Sequence, residues 1–249
     1  MAVVAAAALI VPGLAACSGN DERPEIRVAA AADLRSALET EREQIEAACD
    51  VTLTFVFGSS GQLKEQVLAG APFGLYLSAD ASYAEEVQAA GLAAEDGVRA
   101  YAVGRLALAW APGETPLEAV GDLVRADIAH ISIANPEHAP YGRAARQAAE
   151  GAGVWDEIQG RLVHGENVRQ ATDYVEQGNA EAGLVALSLV IGTDTGYVLV
   201  PGELHEPITQ AGAVIEGTGV ETEGRCVLQY LASADGQALL RDYGFEPVE

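Results

Sequence analysis

The chain has very little lysine, cysteine, methionine or aromatic character. Of its 14 basic residues only Lys64 is a lysine; 37 residues are acidic, and the formal charge is −23 at pH 7. A nucleic-acid surface needs clustered cations to displace counterions, so this balance argues against such a partner. The cysteines and histidines, three and four in number, do not recur at the spacing of a zinc or cluster site, and no metal site or cofactor is expected. Beyond the N-terminus no run of 18 apolar residues occurs, which excludes an internal spanning helix. Aromatics make up 6% of the chain and apolar residues 49%, so the core is drawn mainly from small aliphatic side chains. A length of 249 residues suffices for one large domain or two lobes with their own cores.

The first residues differ in kind. "MAVVAAAALIVPGLAAC" is apolar up to Cys17, and polar "SGNDERPE" follows. Leu14-Ala15-Ala16-Cys17 resembles a bacterial lipobox, in which cleavage precedes a cysteine that then carries lipid. No positive charge precedes the apolar run, a departure from a secretion signal. The expectation is a signal segment over residues 1–17, lipidation of Cys17 and a tether over 18–24. The folded part would then be anchored outside the cytoplasmic membrane, in the periplasm or at the cell surface. An exported setting permits a disulfide between Cys49 and Cys226, and two buried thiols fit the sequence equally.

After the tether, β-branched runs alternate with amphipathic runs, which predicts α/β architecture with mainly parallel sheets. Strands are predicted at 26–31, 51–57, 75–78, 100–110, 131–134, 162–164, 183–186, 197–200 and 208–215. Helices are predicted at 33–48, 61–69, from 81, and at 116–123, 142–151, 168–177 and 224–233. The pattern predicts two lobes, with crossovers near 101–110 and 208–215. Lobe one is expected from residues 25–104 and 210–249, and lobe two from 105–209.

The most telling stretch is Gly58-Ser59-Ser60-Gly61, where a buried strand gives way to a helix. It lacks the glycine spacing of a phosphate-binding Walker loop and the Gly-x-Ser-x-Gly of a nucleophile elbow. A helix start offers unpaired N–H groups and a positive dipole end, and small residues let an anion approach. Similar junctions occur in "AAADL" at 30–34, "NPEHAPYGRAA" at 135–145 and "GENVRQA" at 165–171. Two fall in each expected lobe, so facing lobes would aim four such ends at one cleft.

Taken together, "VAAAADL", "FGSSGQLKEQVLAGAP", "LSAD", "ANPEHAPYGRAA" and "GENVRQA…VEQGNAEAGLVALS" resemble the periplasmic molybdate-binding proteins of ABC importers. The resemblance covers nearly the whole chain after residue 25. It implies a two-lobed periplasmic-binding fold that closes on molybdate or tungstate, a monomer without catalytic chemistry. Its partners would be a membrane permease and a cytoplasmic ATPase. Carried over by position, the family's ligand contacts fall on Asp33, Ser60, Tyr141 and Val168, with Ala32 and Ser59 beside them. A tyrosine that some members use falls on Ala186, and the Tyr141 phenol is a candidate replacement.

Asp33 departs most from the pattern, because a carboxylate beside a dianion is repulsive. It is expected to cap its helix through the N–H of Arg35 or Ser36, with Arg35 available to neutralise it. The alternative is an acceptor for a protonated oxyanion such as hydrogen phosphate. Phosphate therefore stands as the rival ligand, with sulfate a further oxyanion alternative for the same fold. A serine hydrolase using Ser59 or Ser60 with His138 or His164, and a sensor without transport, are the readings from other classes.

Overall fold

A computed structural model describes residues 23–248. The predicted signal segment, the lipidation at Cys17 and most of the tether lie outside these residues. Among the described residues no helix is long and apolar enough to cross a membrane.

Two five-stranded sheets carry the fold. The first contains β1 (Glu25–Ala31), β2 (Thr52–Gly58), β3 (Leu75–Ser78), β4 (Ala93–Gly104) and β10 (Ile208–Ile215), in the order β2-β1-β3-β10-β4. The second contains β5 (Leu106–Trp110), β6 (Ile131–Ala134), β7 (Leu162–Gly165), β8 (Ala182–Ala186) and β9 (Gly196–Leu199), in the order β7-β6-β8-β5-β9. β1 runs parallel to β2 and β3, and β6 runs parallel to β7 and β8. The fourth strand of each order, β10 or β5, is antiparallel to both of its neighbours.

Burial follows from sequence. Val28, Ala29 and Ala30 of β1 are fully buried, as suits a central strand covered on both faces. β2, at an edge, keeps Thr52 and Thr54 exposed and buries Leu53 between them. Sequence also fixes helix starts. Asp80 caps Ala81–Ala89 by accepting the Ser82 N–H at 2.9 Å, and Ser233 caps Ala234–Asp242 by accepting the Gly236 N–H at 3.3 Å.

Three expectations are corrected. The 208–215 run does not cross between sheets but lies wholly in the first; residues 200–207 make the return. β4 and β5 are separated at Arg105, whose carbonyl accepts the Leu187 N–H at 2.9 Å. Gly104 pairs with Ile208, so the outgoing and returning segments meet side by side. β4 also begins at Ala93, where pairing with Ile215 of β10 overrides the turn-like "EDG". The region expected as a helix over 116–123 is only a 3-10 turn, Val120–Val124. There the Asp122 carboxylate accepts the N–H groups of Glu118 and Ala119, a local alternative to helix.

Cys49 and Cys226 are bonded to each other. They join helix Arg42–Cys49 to helix Glu221–Leu231. The bond therefore ties the two chain segments from which the first sheet is built.

Candidate functional site

Four of the parallel strands end in helix starts that face one another. β1 passes into the 3-10 turn Ala32–Leu34, and β2 into helix Ser60–Leu68 with Ser59 at its N-cap. β6 leads to helix Pro140–Gly151, whose first-turn proline has no N–H to leave unpaired. β7 leads to helix Val168–Glu176, capped by the Asn167 side chain, which accepts the Gln170 N–H at 3.1 Å. Residues 31–33, 58–60, 79, 139–141 and 168 line a small cavity of about 10 Å3. Ala32, Asp33, Ser59, Ser60, Tyr141 and Val168 all line it. Among the described residues no lysine, arginine or histidine does. Helix N-termini and hydroxyls are thus its positive elements.

The two serines do different work. Ser60 Oγ accepts the Ala79 N–H at 3.0 Å, which fixes the oxygen and leaves its proton for an acceptor in the cavity. The Ser60 carbonyl in turn accepts the Tyr76 hydroxyl at 2.7 Å. Ser59 reaches across the cleft instead. Its hydroxyl donates to the His138 carbonyl at 2.7 Å, and the His138 Nδ1 lies 2.8 Å from the same oxygen. Gly61 N–H also donates to that carbonyl, at 3.0 Å. A Cβ on Gly61 would lie 2.6 Å from the His138 oxygen, so the approach requires glycine.

The Ser59–His138 contact bears on the hydrolase reading. The imidazole's other nitrogen is 3.5 Å from Gln62 Nε2, and Glu166 accepts from that Gln62 at 3.0 Å rather than orienting the ring. With the Ser59 proton directed to a backbone carbonyl, the group is a bridge between the sides of the cleft. His164 is exposed on β7 and takes no part.

Asp33 is not a helix cap. Ala31 holds the N-cap position, and no side-chain cap bond forms there. The 3-10 turn places Asp33 within its first turn and directs the carboxylate inward. Oδ2 accepts Gln210 Nε2 at 2.6 Å, and Gln210 Oε1 accepts the Tyr101 hydroxyl at 3.3 Å. Arg35 does not neutralise Asp33. It pairs with Glu39 at 3.1 Å and lies over the Phe57 ring. Burial pushes the Asp33 carboxyl up to about 6, against the opposing effects of Gln210, Tyr141 and nearby backbone N–H groups. Its Oδ1 and the Tyr141 hydroxyl are both buried without an aligned partner.

Tyr141 is 2% exposed, so it does not lie at the rim. Burial, then the neighbouring Asp33 charge, raises its phenol well above the usual tyrosine range. A Cβ on Gly104 would meet the Tyr141 hydroxyl at 2.2 Å, which places the phenol against the outgoing chain crossing. Ala186, where the expected tyrosine is absent, is fully buried beside β5.

A larger hollow shares Ala79 and Pro140 with the cavity and runs past Asp80 and Arg143. These two residues form an ion pair across the cleft, and Arg143 also donates to the Tyr83 hydroxyl at 2.6 Å.

Gln210, Tyr101, Gly104 and Ser188, whose hydroxyl donates to the Asp33 carbonyl at 2.8 Å, complete the polar underside of the site. Ser188 closes the quoted motif "VEQGNAEAGLVALS", yet nothing there marks it as a site residue, and the other three lie outside the quoted motifs. The glutamine in the largely apolar "ITQAGAVI" was the one available signal.

The profile of the Bacterial extracellular solute-binding protein family matches residues 26–246. The molybdate-binding protein ModA of Rhodobacter capsulatus is 35% identical over 195 residues, 78% of this chain and 77% of that protein. ModA of Azotobacter vinelandii is 32% identical over 238 residues, covering 94% and 93%. The solved periplasmic molybdate-binding protein of Azotobacter vinelandii superimposes with a TM-score of 0.85 at 26% identity, over 90% of this chain and 100% of that one. With these matches and two like-ordered sheets around one cleft, the chain belongs to the bacterial extracellular solute-binding proteins, on their ModA branch.

Proposed function

We propose that this protein captures molybdate or tungstate in the cavity between its sheets and delivers it to an ABC importer. The observation that carries the reading is the convergence of helix starts at Ser60, Tyr141 and Val168, with the turn at Ala32 and Asp33, on one small cavity without cations. A tetrahedral oxyanion presents only acceptors, and this lining offers N–H and O–H donors.

In this reading Ser60 donates its hydroxyl, and the first-turn N–H groups of the three helices supply the rest. Ser59 holds the cleft shut through His138. Residues 25–104 with 210–249 form one lobe and 105–209 the other, and closure completes the ligand shell. Selectivity over sulfate rests on cavity size, since both anions are tetrahedral dianions. The chain acts as a monomer with a permease and an ATPase as partners. It has no catalytic role and no cofactor. Lipid on Cys17 holds it to the outer face of the cytoplasmic membrane.

Isothermal titration with molybdate, tungstate, sulfate and phosphate at neutral pH tests the ligand. Tight binding of the first two, with the others weak, is expected; phosphate binding with molybdate silent overturns the reading. Mass spectrometry of the membrane fraction tests the anchor, which requires an N-terminal peptide starting at lipid-modified Cys17.

A further inference from the structure

We propose that anion capture in this cleft is coupled to uptake of one proton, and that Asp33 holds this proton on Oδ1 and donates it to the bound oxyanion. The inference rests on the oxyanion reading above.

The geometry leaves Asp33 two states. The residue is 1% exposed and lines the cavity, and its Oδ1 is buried without an aligned hydrogen-bond partner. Oδ2 is already an acceptor for Gln210 Nε2. That amide is oriented in turn, since its oxygen receives the Tyr101 hydroxyl. A proton on the carboxyl therefore belongs on Oδ1. When ionised, the carboxyl is an acceptor beside an acceptor-only ligand, and two negative groups meet at a buried site. When protonated, it becomes one more O–H donor, in keeping with the Ser60 hydroxyl and the helix N–H groups.

No nearby charge offers another way out. The titratable groups that face Asp33 are Tyr101 of β4 and Tyr141 of helix Pro140–Gly151, and burial keeps both neutral. Gln210 of β10 and Ser188 do not titrate. Among the described residues no lysine, arginine or histidine is hydrogen-bonded or ion-paired to Asp33, and Arg35 is engaged by Glu39. The balance is simple. Carboxylate, dianion and one proton from solvent give a neutral carboxylic acid hydrogen-bonded to the dianion, so the cleft gains one negative charge instead of two.

The coupling also sets which anions are accepted. A fully deprotonated dianion must bring a proton from solvent. A hydrogen-bearing oxyanion finds an acceptor in the ionised carboxyl and needs no uptake. Its raised proton affinity lets Asp33 take up that proton at near-neutral pH.

The test is calorimetric titration of the purified full chain with sodium molybdate at pH 7.5, in HEPES and in Tris, whose ionisation enthalpies differ. The expected result is close to one proton taken up per molybdate, with Kd falling about tenfold for each unit that pH is lowered between 8.5 and 6.5. Asp33→Asn is expected to abolish both the uptake and the slope. All other titratable groups are common to both proteins and cancel in the comparison. Tight molybdate binding without proton uptake and with a flat pH profile overturns the proton coupling and leaves the oxyanion function standing. No molybdate binding at any of these pH values overturns the function on which it rests. The wild-type proton count is decisive even if Asp33→Asn does not fold.

Discussion

The two sheets share one strand order but are made from the chain in different ways. The second is built from one continuous run, β5 to β9, whereas the first takes β1 to β4 and then recruits β10 after the chain returns. Only the first is joined to a helix pair linked by a disulfide, Cys49 to Cys226, across 177 positions of sequence. The sides of the cleft differ too. The first contributes side-chain chemistry through Asp33, Ser59 and Ser60, and the second mainly backbone N–H groups, with Tyr141 as the exception. A discontinuous unit closes a long loop and gains most from a covalent tie. A site divided between side chains and backbone is sensitive to substitution on one side and tolerant on the other.

The largest expected effect tests the covalent tie. Replacing Cys49 and Cys226 with serine frees a long loop in the unfolded chain, and the chain-entropy model assigns such a closure roughly 5 kcal/mol. Urea denaturation should show a loss of about 3–5 kcal/mol. Anion affinity of the remaining folded protein should stay within about twofold, because the bond lies outside the cavity lining. Equal stability of the two proteins would remove the link between discontinuity and the disulfide.

Asp33 gives the next effect, and its sign follows from burial. The folded-state pKa is raised from 3.8 to about 6, so between those values the folded protein keeps a proton that the unfolded chain has released. That stabilisation is complete below 3.8 and is lost as pH rises through 6. At neutral pH the buried carboxylate costs about 3 kcal/mol relative to an unshifted group. Asp33→Asn keeps an acceptor for Gln210 and removes this charge. It should be more stable than the wild type at pH 7.5 by about 1–3 kcal/mol, and the gain should fade by pH 4. A pH-independent difference would mean that packing, not charge, governs the position.

Ser60 and Gly61 test the side-chain half of the cleft. Ser60→Ala removes the donor aimed into the cavity and leaves the Ala79 N–H without its acceptor. Anion affinity should fall about 10- to 100-fold by titration, in line with a charge-assisted bond worth about 1.5–3 kcal/mol. Gly61→Ala leaves every donor in place but sets a methyl group 2.6 Å from the His138 carbonyl. It should weaken binding about tenfold by holding the cleft ajar. Small-angle scattering of the anion-loaded variant should then give a larger radius of gyration than loaded wild type.

Much of this architecture was legible in the sequence. The strands at 75–78, 131–134 and 208–215 have the predicted bounds, because each is a short apolar run between clear breaks. Six of the residues that line the cavity are those on which the family resemblance placed the ligand contacts, and the strand-to-helix junctions that hold them carry a local signature of small residues, hydroxyls and caps. What lay beyond reach was contact between distant segments. The Asp33 environment is set by Gln210 and Ser188, 177 and 155 positions away, and no local rule distinguishes a cap from a buried carboxylate held by distant partners. For the same reason β4 was foreshortened, since its first residues are a strand only through pairing with β10.

The smallest effect belongs to the backbone half, and its smallness is the point. Val168 stands first in its helix, and its contribution to the cavity is an N–H group that any residue but proline retains. Val168→Ala removes methyl groups from a largely buried side chain, costing about 1–2 kcal/mol of stability, and should change anion affinity by less than about threefold. Val168→Pro suits the first helical position conformationally and deletes only the donor, so affinity should fall about tenfold with the helix intact by circular dichroism. A large loss of affinity in the alanine variant would place recognition in the valine side chain. A small change in both would mean that this helix start does not hold the anion, and the division of labour between the two sides would fail at that point.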